Sequence, residues 1–174
     1  MRPTTDRVRQ ALFNVVASNY IQDWRKLVVL DLFAGTGALG LEALSRGAKA
    51  CTFVEQDRRV IPVLKKNLLL AHTTTSVTKL VRADVYDFLQ QKRRLPENEQ
   101  AGLVLADPPY GKGHLIRLLD ALTHACDSLS PKVLIVIEGE KREQVPEKYS
   151  DFRLLKSKSY GNSSLFFLKR NKDR

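Results

Sequence analysis

Five short strand-like runs alternate with helix-like segments along this chain, and that alternation constrains the fold more than any other feature. The runs are Leu27–Leu32, Ala50–Val54, Thr75–Val81, Leu103–Ala106 and Val133–Ile137. They are too short for core helices and read as strands, most of them as buried strands, with Thr75–Val81 alternating only loosely. Strands separated by helices pair in parallel, because a parallel pair needs a crossover connection, and such crossovers are right-handed. Asp31, Gly35, Glu55, Asp84 and Asp107 all fall at the carboxyl ends of these strands. In doubly wound sheets ligands bind at that edge.

The remaining elements fill in around the strands. Thr4, Thr5 or Asp6 is expected to cap a first helix with Val8, Leu12, Val15 and Val16 on its apolar face. A second helix runs to Arg46, with Gly47 as its C-cap. Asp57 is expected to cap a third, ending near Ala71, which Pro62 should kink or delay. Val85–Gln91 reads as a short helix, Lys92–Gln100 as a polar loop, and Gly113–Leu129 as a helix presenting Leu115, Leu118, Leu119 and Leu122. Strand five ends at Glu138. Phe152–Ser159 and Ser163–Leu168 form two further strands joined by a Tyr160-Gly161-Asn162 turn, an antiparallel hairpin at the sheet's edge. The expectation is one α/β, Rossmann-like domain spanning residues 1–174.

The first strand leads into Asp31-Leu32-Phe33-Ala34-Gly35-Thr36-Gly37-Ala38-Leu39-Gly40, in which Gly35, Gly37 and Gly40 fit G-x-G-x-x-G. Alone this pattern also fits a nicotinamide enzyme. Glu55, twenty positions after Gly35, can accept both ribose hydroxyls of an adenosine. Asp31 argues against a pyrophosphate, which it would repel, and for the ammonium of a methionine moiety. Adenosine joined to methionine is S-adenosylmethionine. The plainer alternative is an ordinary βα turn followed by a solvated strand end.

Asp107-Pro108-Pro109-Tyr110 follows the fourth strand. The Asp107 carboxylate and the Pro108 carbonyl would be two fixed acceptors for an exocyclic NH2. The prolines have nearly fixed φ, so holding those acceptors costs little entropy. Tyr110 would offer a face for base stacking. A plain Pro-Pro turn with Asp as a turn residue is the alternative. The formal net charge of +10 favours an anionic partner, most simply nucleic acid. Cys51 and Cys126 have no metal-ligand spacing and read as reduced, packed thiols; the three histidines form no ligand motif. The chain shows no signal peptide and no apolar run near eighteen residues, so a cytoplasmic protein is expected, and nothing demands more than a monomer.

Together Asp31–Gly40, Glu55, Asp84 and Asp107–Tyr110 resemble the class I S-adenosylmethionine-dependent methyltransferases. The opening Arg2-Pro3-Thr4-Thr5-Asp6-Arg7-Val8-Arg9-Gln10-Ala11-Leu12-Phe13-Asn14 narrows the resemblance to the RsmD-like family, guanine-N2 methyltransferases of 16S ribosomal RNA. It implies a mostly parallel seven-stranded sheet with helices on both faces. It also implies a cofactor site formed by Asp31, Phe33, Ala34, Gly35, Thr36, Gly37, Glu55, Gln56, Asp84 and Val85, with Asp84 on the adenine amine. Asp84 serves equally as a helix N-cap, and Phe33 equally as core. Asp107, Pro108, Pro109 and Tyr110 would be catalytic, and Arg7 and Arg9 either line the substrate entrance or form a solvated helix face. Lys92-Arg93-Arg94 reads as a solvated loop. Family members usually carry a basic hairpin before the Arg-Pro-Thr segment, where this chain begins, so weaker RNA affinity is expected of this form. The implied partner is ribosomal RNA or a partly assembled small subunit, and the chemistry, direct transfer from an activated sulfonium, needs no metal. Rival readings are an adenine-N6 nucleic-acid methyltransferase, a glutamine methyltransferase, whose motif begins with Asn, and a non-catalytic RNA-binding assembly factor on the same scaffold.

Overall fold

The computed structural model describes residues 6–91, 95–109, 111 and 113–171. The parallel strands are β1 (Val28–Leu32), β2 (Ala50–Glu55), β3 (Thr78–Arg82), β4 (Ala101–Ala106) and β5 (Leu129–Glu140). β6 (Lys148–Tyr149), β7 (Phe152–Tyr160) and β8 (Ser163–Arg170) are antiparallel additions. Among the described residues the sheet has eight strands in the order β3-β2-β1-β4-β5-β8-β7-β6. The parallel part reverses direction between β1 and β4, which is where a doubly wound sheet opens its ligand crevice.

The helices α1 (Asp6–Asn19), α2 (Ala38–Ser45) and α3 (Ile61–Leu70) pack on one face, and α4 (Val85–Gln90) and α5 (His114–His124) on the other. Period-2 alternation sorts the strands between two cores. Phe53, Leu105, Val136 and Phe167 meet Val8, Leu12, Phe13 and Val16 of α1. Leu32, Val54, Val104 and Ile137 meet α4 and α5. Leu115, Leu118, Leu119 and Leu122 are each at most 2 % exposed, so each contributes on the order of 1.5–3 kcal/mol of burial. Cys51 and Cys126 are free and buried. No helix among the described residues is long and apolar enough to cross a membrane.

Several expectations need correction. The count of eight strands rather than seven comes from β6, whose two residues pair with Arg153 and Phe152 and are too few to show a period. The predicted helix Gly113–Leu129 stops at His124; a 3-10 turn at Cys126–Ser128 follows, and β5 begins at Leu129 rather than Val133. Ser130-Pro131-Lys132 interrupts the apolar pattern there, and Leu129 pairs with Ala101 before the ladder shifts register. Asp57 does not cap α3, whose N-cap is Val60; its carboxylate instead accepts the Arg59 N–H at 2.9 Å. Pro62 therefore delays the helix and sits in its first turn, where a missing N–H is harmless. The hairpin turn is tighter than expected, because Tyr160 is the last residue of β7 and Gly161 takes φ +59°. Cap candidates Thr4 and Thr5, and the Lys92-Arg93-Arg94 run, lie outside the described residues.

Candidate active site

Sheet register brings the predicted acids together. Asp31 pairs with Phe53 on one side and Leu105 on the other, so it points toward the α1–α3 face. Glu55 lies two residues past Phe53 and so shares that face one step nearer the carboxyl edge, while Asp107 directly follows the end of β4, the strand beside β1. Asp31 is 1 % exposed. Its Oδ2 accepts the Gly40 N–H at 2.9 Å, so a strand carboxylate satisfies an orphan amide in the first turn of α2. Burial pushes its carboxyl well above the usual carboxylate range, the Gly40 bond opposes this, and the nearby charges of Asp107 and Glu55 add to it.

The turn between β1 and α2 is built on positive φ values at Phe33 (57°), Gly35 (54°) and Gly37 (84°). Gly37 is the N-cap of α2, and a Cβ there would run into the Leu64 side chain. A Cβ on Gly40 would collide with the Phe53 ring and stand 2.7 Å from the Cys51 sulfur. Ala34 extends the β1–β2 ladder by donating to the Val54 carbonyl at 3.0 Å. Thr36 is exposed, and its carbonyl accepts Asn67 Nδ2 at 2.9 Å. Phe33 packs against the α4–α5 core and meets Tyr86 edge-on with centroids 5.9 Å apart, which supports its reading as core.

Glu55 is 3 % exposed and pins the turn in place: Oε2 accepts the Gly35 N–H and Oε1 the Asp57 N–H, both at 2.8 Å. Each oxygen keeps a second lone pair. Gln56 next to it is exposed. Asp84 is the N-cap of α4, its Oδ1 accepting the Tyr86 and Asp87 N–H groups at 2.8 and 3.2 Å. The cap reading of Asp84 thus holds, and it engages one oxygen. Val85 beneath it is 2 % exposed.

Asp107 is half-buried, Pro108 buried and Pro109 exposed just past β4. Tyr110 and its stacking role lie outside the described residues. Arg7 is exposed, and Arg9 pairs with Asp6 at 3.0 Å; no bond joins either to the carboxylate row among the described residues.

The structure adds residues that sequence reasoning left out of the site. Glu138 is 4 % exposed and pairs with Leu165, one step past the Ala106–Ile137 pair, so it stands level with Asp107 and on the face of Val136. Alternation from Val136 pointed to that position. Tyr86 Oη lies 2.9 Å from His114 Nδ1, and the Arg117 guanidinium sits 3.7 Å from the Tyr86 ring centroid. This cluster ties the start of α4 to the start of α5. No local pattern links residues 28 positions apart.

Sheet order, a glycine turn at the switch point and acids on successive strand ends define a class I S-adenosylmethionine-dependent methyltransferase fold. A solved structure from Escherichia coli superposes with a TM-score of 0.79 at 34% identity, over 99% of this chain and 89% of that one. One from Haemophilus influenzae gives 0.77 at 34% identity, over 97% and 99%. In sequence, the chain is 38% identical over 165 residues to the Ribosomal RNA small subunit methyltransferase D of H. influenzae, covering 92% of this chain and 79% of that protein. Its E. coli counterpart is also 38% identical, over 161 residues, 92% and 75%. Residues 1–169 match the family described as Conserved hypothetical protein 95, and the chain belongs to that family, the RsmD-like methyltransferases.

Proposed function

We propose that this protein methylates the exocyclic N2 amine of a guanine in small-subunit (16S) ribosomal RNA. The observation that carries the reading is the convergence of acids at one strand edge: Asp107 directly follows β4, beside β1, and its charge and that of Glu55 both reach the buried Asp31. The relatives named as ribosomal RNA small subunit methyltransferases supply the substrate class.

The residues present fit S-adenosylmethionine. The buried Asp31 carboxylate suits a primary ammonium, whose charge would offset the burial that now raises its pKa. Glu55 has lone pairs left for two ribose hydroxyls, and Asp84 has an oxygen beyond its cap for the adenine amine. The positive-φ turn at Gly35 and Gly37 leaves backbone clearance beside them. When bound, the cofactor supplies an activated methyl group. Asp107 and the Pro108 carbonyl hold the target amine by its two hydrogens, which favours pyramidal nitrogen and stabilises the positive charge developing there. Buried Pro108 fixes that carbonyl. The target base enters unpaired or flipped from its stack.

Incubation with labelled cofactor and undermodified small subunits, followed by RNA digestion, should place label in N2-methylguanine. Asp107→Ala should lower turnover by about 10²-fold or more with S-adenosylhomocysteine affinity retained. Label in N6-methyladenine, in DNA alone or in protein alone would overturn the assignment.

A further inference from the structure

The antiparallel edge of the sheet carries charge that methyl transfer does not use. Lys148 of β6, Arg153 of β7 and Lys169 of β8 are direct cross-strand partners and so share one face. Like charges placed directly opposite destabilise a sheet. Here three stand in one row, and none has an ion pair among the described residues. Lys169 merely reaches to 5.4 Å from the Tyr20 ring centroid.

The charge continues up β7 because of a bulge. In a regular strand Arg153 would share its face with Leu155 and Ser157, and Lys156 and Lys158 would point the other way. The register shifts between Leu154 and Lys156, so that Lys156 opposes Phe167 and Lys158 opposes Leu165. Both partners belong to the α1-side core. The extra residue therefore turns two lysines onto Arg153's face, a common use of bulges. Ser157 and Ser159 occupy the other face of that stretch. Arg153, Lys156 and Lys158 are exposed. At the foot of this face lies a groove of about 600 Å³ lined by Lys26, Lys132, Arg153, Lys169 and Arg170, with Asp23 and Glu97 in its wall. Asp23 is already paired with Arg25 at 3.0 Å.

At the top, Lys158 aligns with Leu165 and Leu165 with Glu138, the level of Asp107. The distance is three strands, or about 14 Å at roughly 4.8 Å per strand.

We infer that this face is a track for the phosphate backbone of an RNA strand whose target base enters beside Asp107. The inference rests on the ribosomal RNA reading above and extends it to a binding surface. Side chains two apart on a strand stand about 6.6 Å apart, the scale of neighbouring phosphates along a nucleic-acid strand. A polyanion also relieves the repulsion that the cross-strand row imposes. Position favours RNA over an anionic membrane: the row runs from a concave groove to the level of the methyl-acceptor site.

The test is a pair of double variants, Lys156→Gln with Lys158→Gln, and Lys148→Gln with Arg153→Gln. Binding to undermodified small-subunit ribosomal RNA is measured across salt concentrations. Each pair should flatten the slope of log affinity against log salt by about 1.4–1.8, two phosphate contacts' worth. KM for the RNA should rise about tenfold, with kcat and S-adenosylhomocysteine affinity unchanged and the thermal midpoint equal or higher. Unchanged RNA affinity and slope in both pairs would overturn the track. So would lost binding to phosphatidylserine vesicles with RNA binding intact. RNA bound through these residues without label in guanine N2 supports the track and sinks the methylation reading instead.

Discussion

At the scale of single residues, Asp31 works against the ligand-free protein. Burial lifts its carboxyl well above the ordinary 3.8. A carboxyl whose pKa is higher folded than unfolded contributes stability that is complete below the unfolded value and is lost as pH rises through the folded one. The ligand-free protein should therefore lose part of its stability as pH climbs from about 4. Asp31→Asn keeps an acceptor for the Gly40 N–H and removes the charge. Thermal unfolding across pH should show a higher neutral-pH midpoint and a flatter profile for this variant. Calorimetry should show S-adenosylhomocysteine affinity weakened by about 1.5–3 kcal/mol, the range for a hydrogen bond to a charged group. Undiminished affinity would remove Asp31 from the cofactor site and leave it as the acceptor for the Gly40 N–H in the first turn of α2.

At the scale of elements, two helix starts combine structure with binding. Asp84 caps α4 with one oxygen, and the proposed adenine contact uses the other. Serine caps as well as aspartate but lacks the second oxygen. Asp84→Ser should leave stability within about 0.5 kcal/mol and weaken cofactor binding, whereas Asp84→Ala should also lose about 0.5–2 kcal/mol of stability. Denaturant titration beside calorimetry separates the two effects; equal cofactor affinity in both variants and the unaltered protein would show a cap alone. The α2 start is constrained by packing. Gly40→Ala places a methyl against Phe53 and Cys51, neither an easily moved side-chain end, and overpacking of this kind costs about 1–3 kcal/mol. A midpoint unchanged in urea would show that α2 can shift away from β2.

At the scale of the whole molecule, the proposed cofactor site spans the ends of four strands and the first turns of two helices, so its occupation should hold the fold together. A ligand at 100 times its dissociation constant stabilises by about 2.7 kcal/mol, or roughly 5–10 °C for a chain of this size. S-adenosylhomocysteine should raise the melting midpoint by that order, and NAD should not; the reverse result would restore the nicotinamide reading of the glycine turn. The acids were legible in sequence because each lies at the end of a strand-like run, and alternation along β1 and β2 then puts Asp31 and Glu55 on one face. The Tyr86–His114–Arg117 cluster was not legible, because its members lie on two helices separated in sequence by β4 and meet only in the packed fold.

By itself the sequence determined the alternating α/β order, the glycine turn, the strand-end carboxylates and the Asp-Pro-Pro step. These are local: each follows from periodicity, φ preference or a run bounded by breakers within a dozen residues. Tertiary structure alone decided which oxygen each acid spends on the backbone, so that Asp31 accepts the Gly40 N–H and Glu55 clamps Gly35. It also decided that β6 exists, that β5 starts at Leu129, and that a one-residue bulge turns Lys156 and Lys158 toward Arg153. Those outcomes depend on the register between strands distant in sequence. Register is set by the summed packing of two cores, which no single stretch of chain contains.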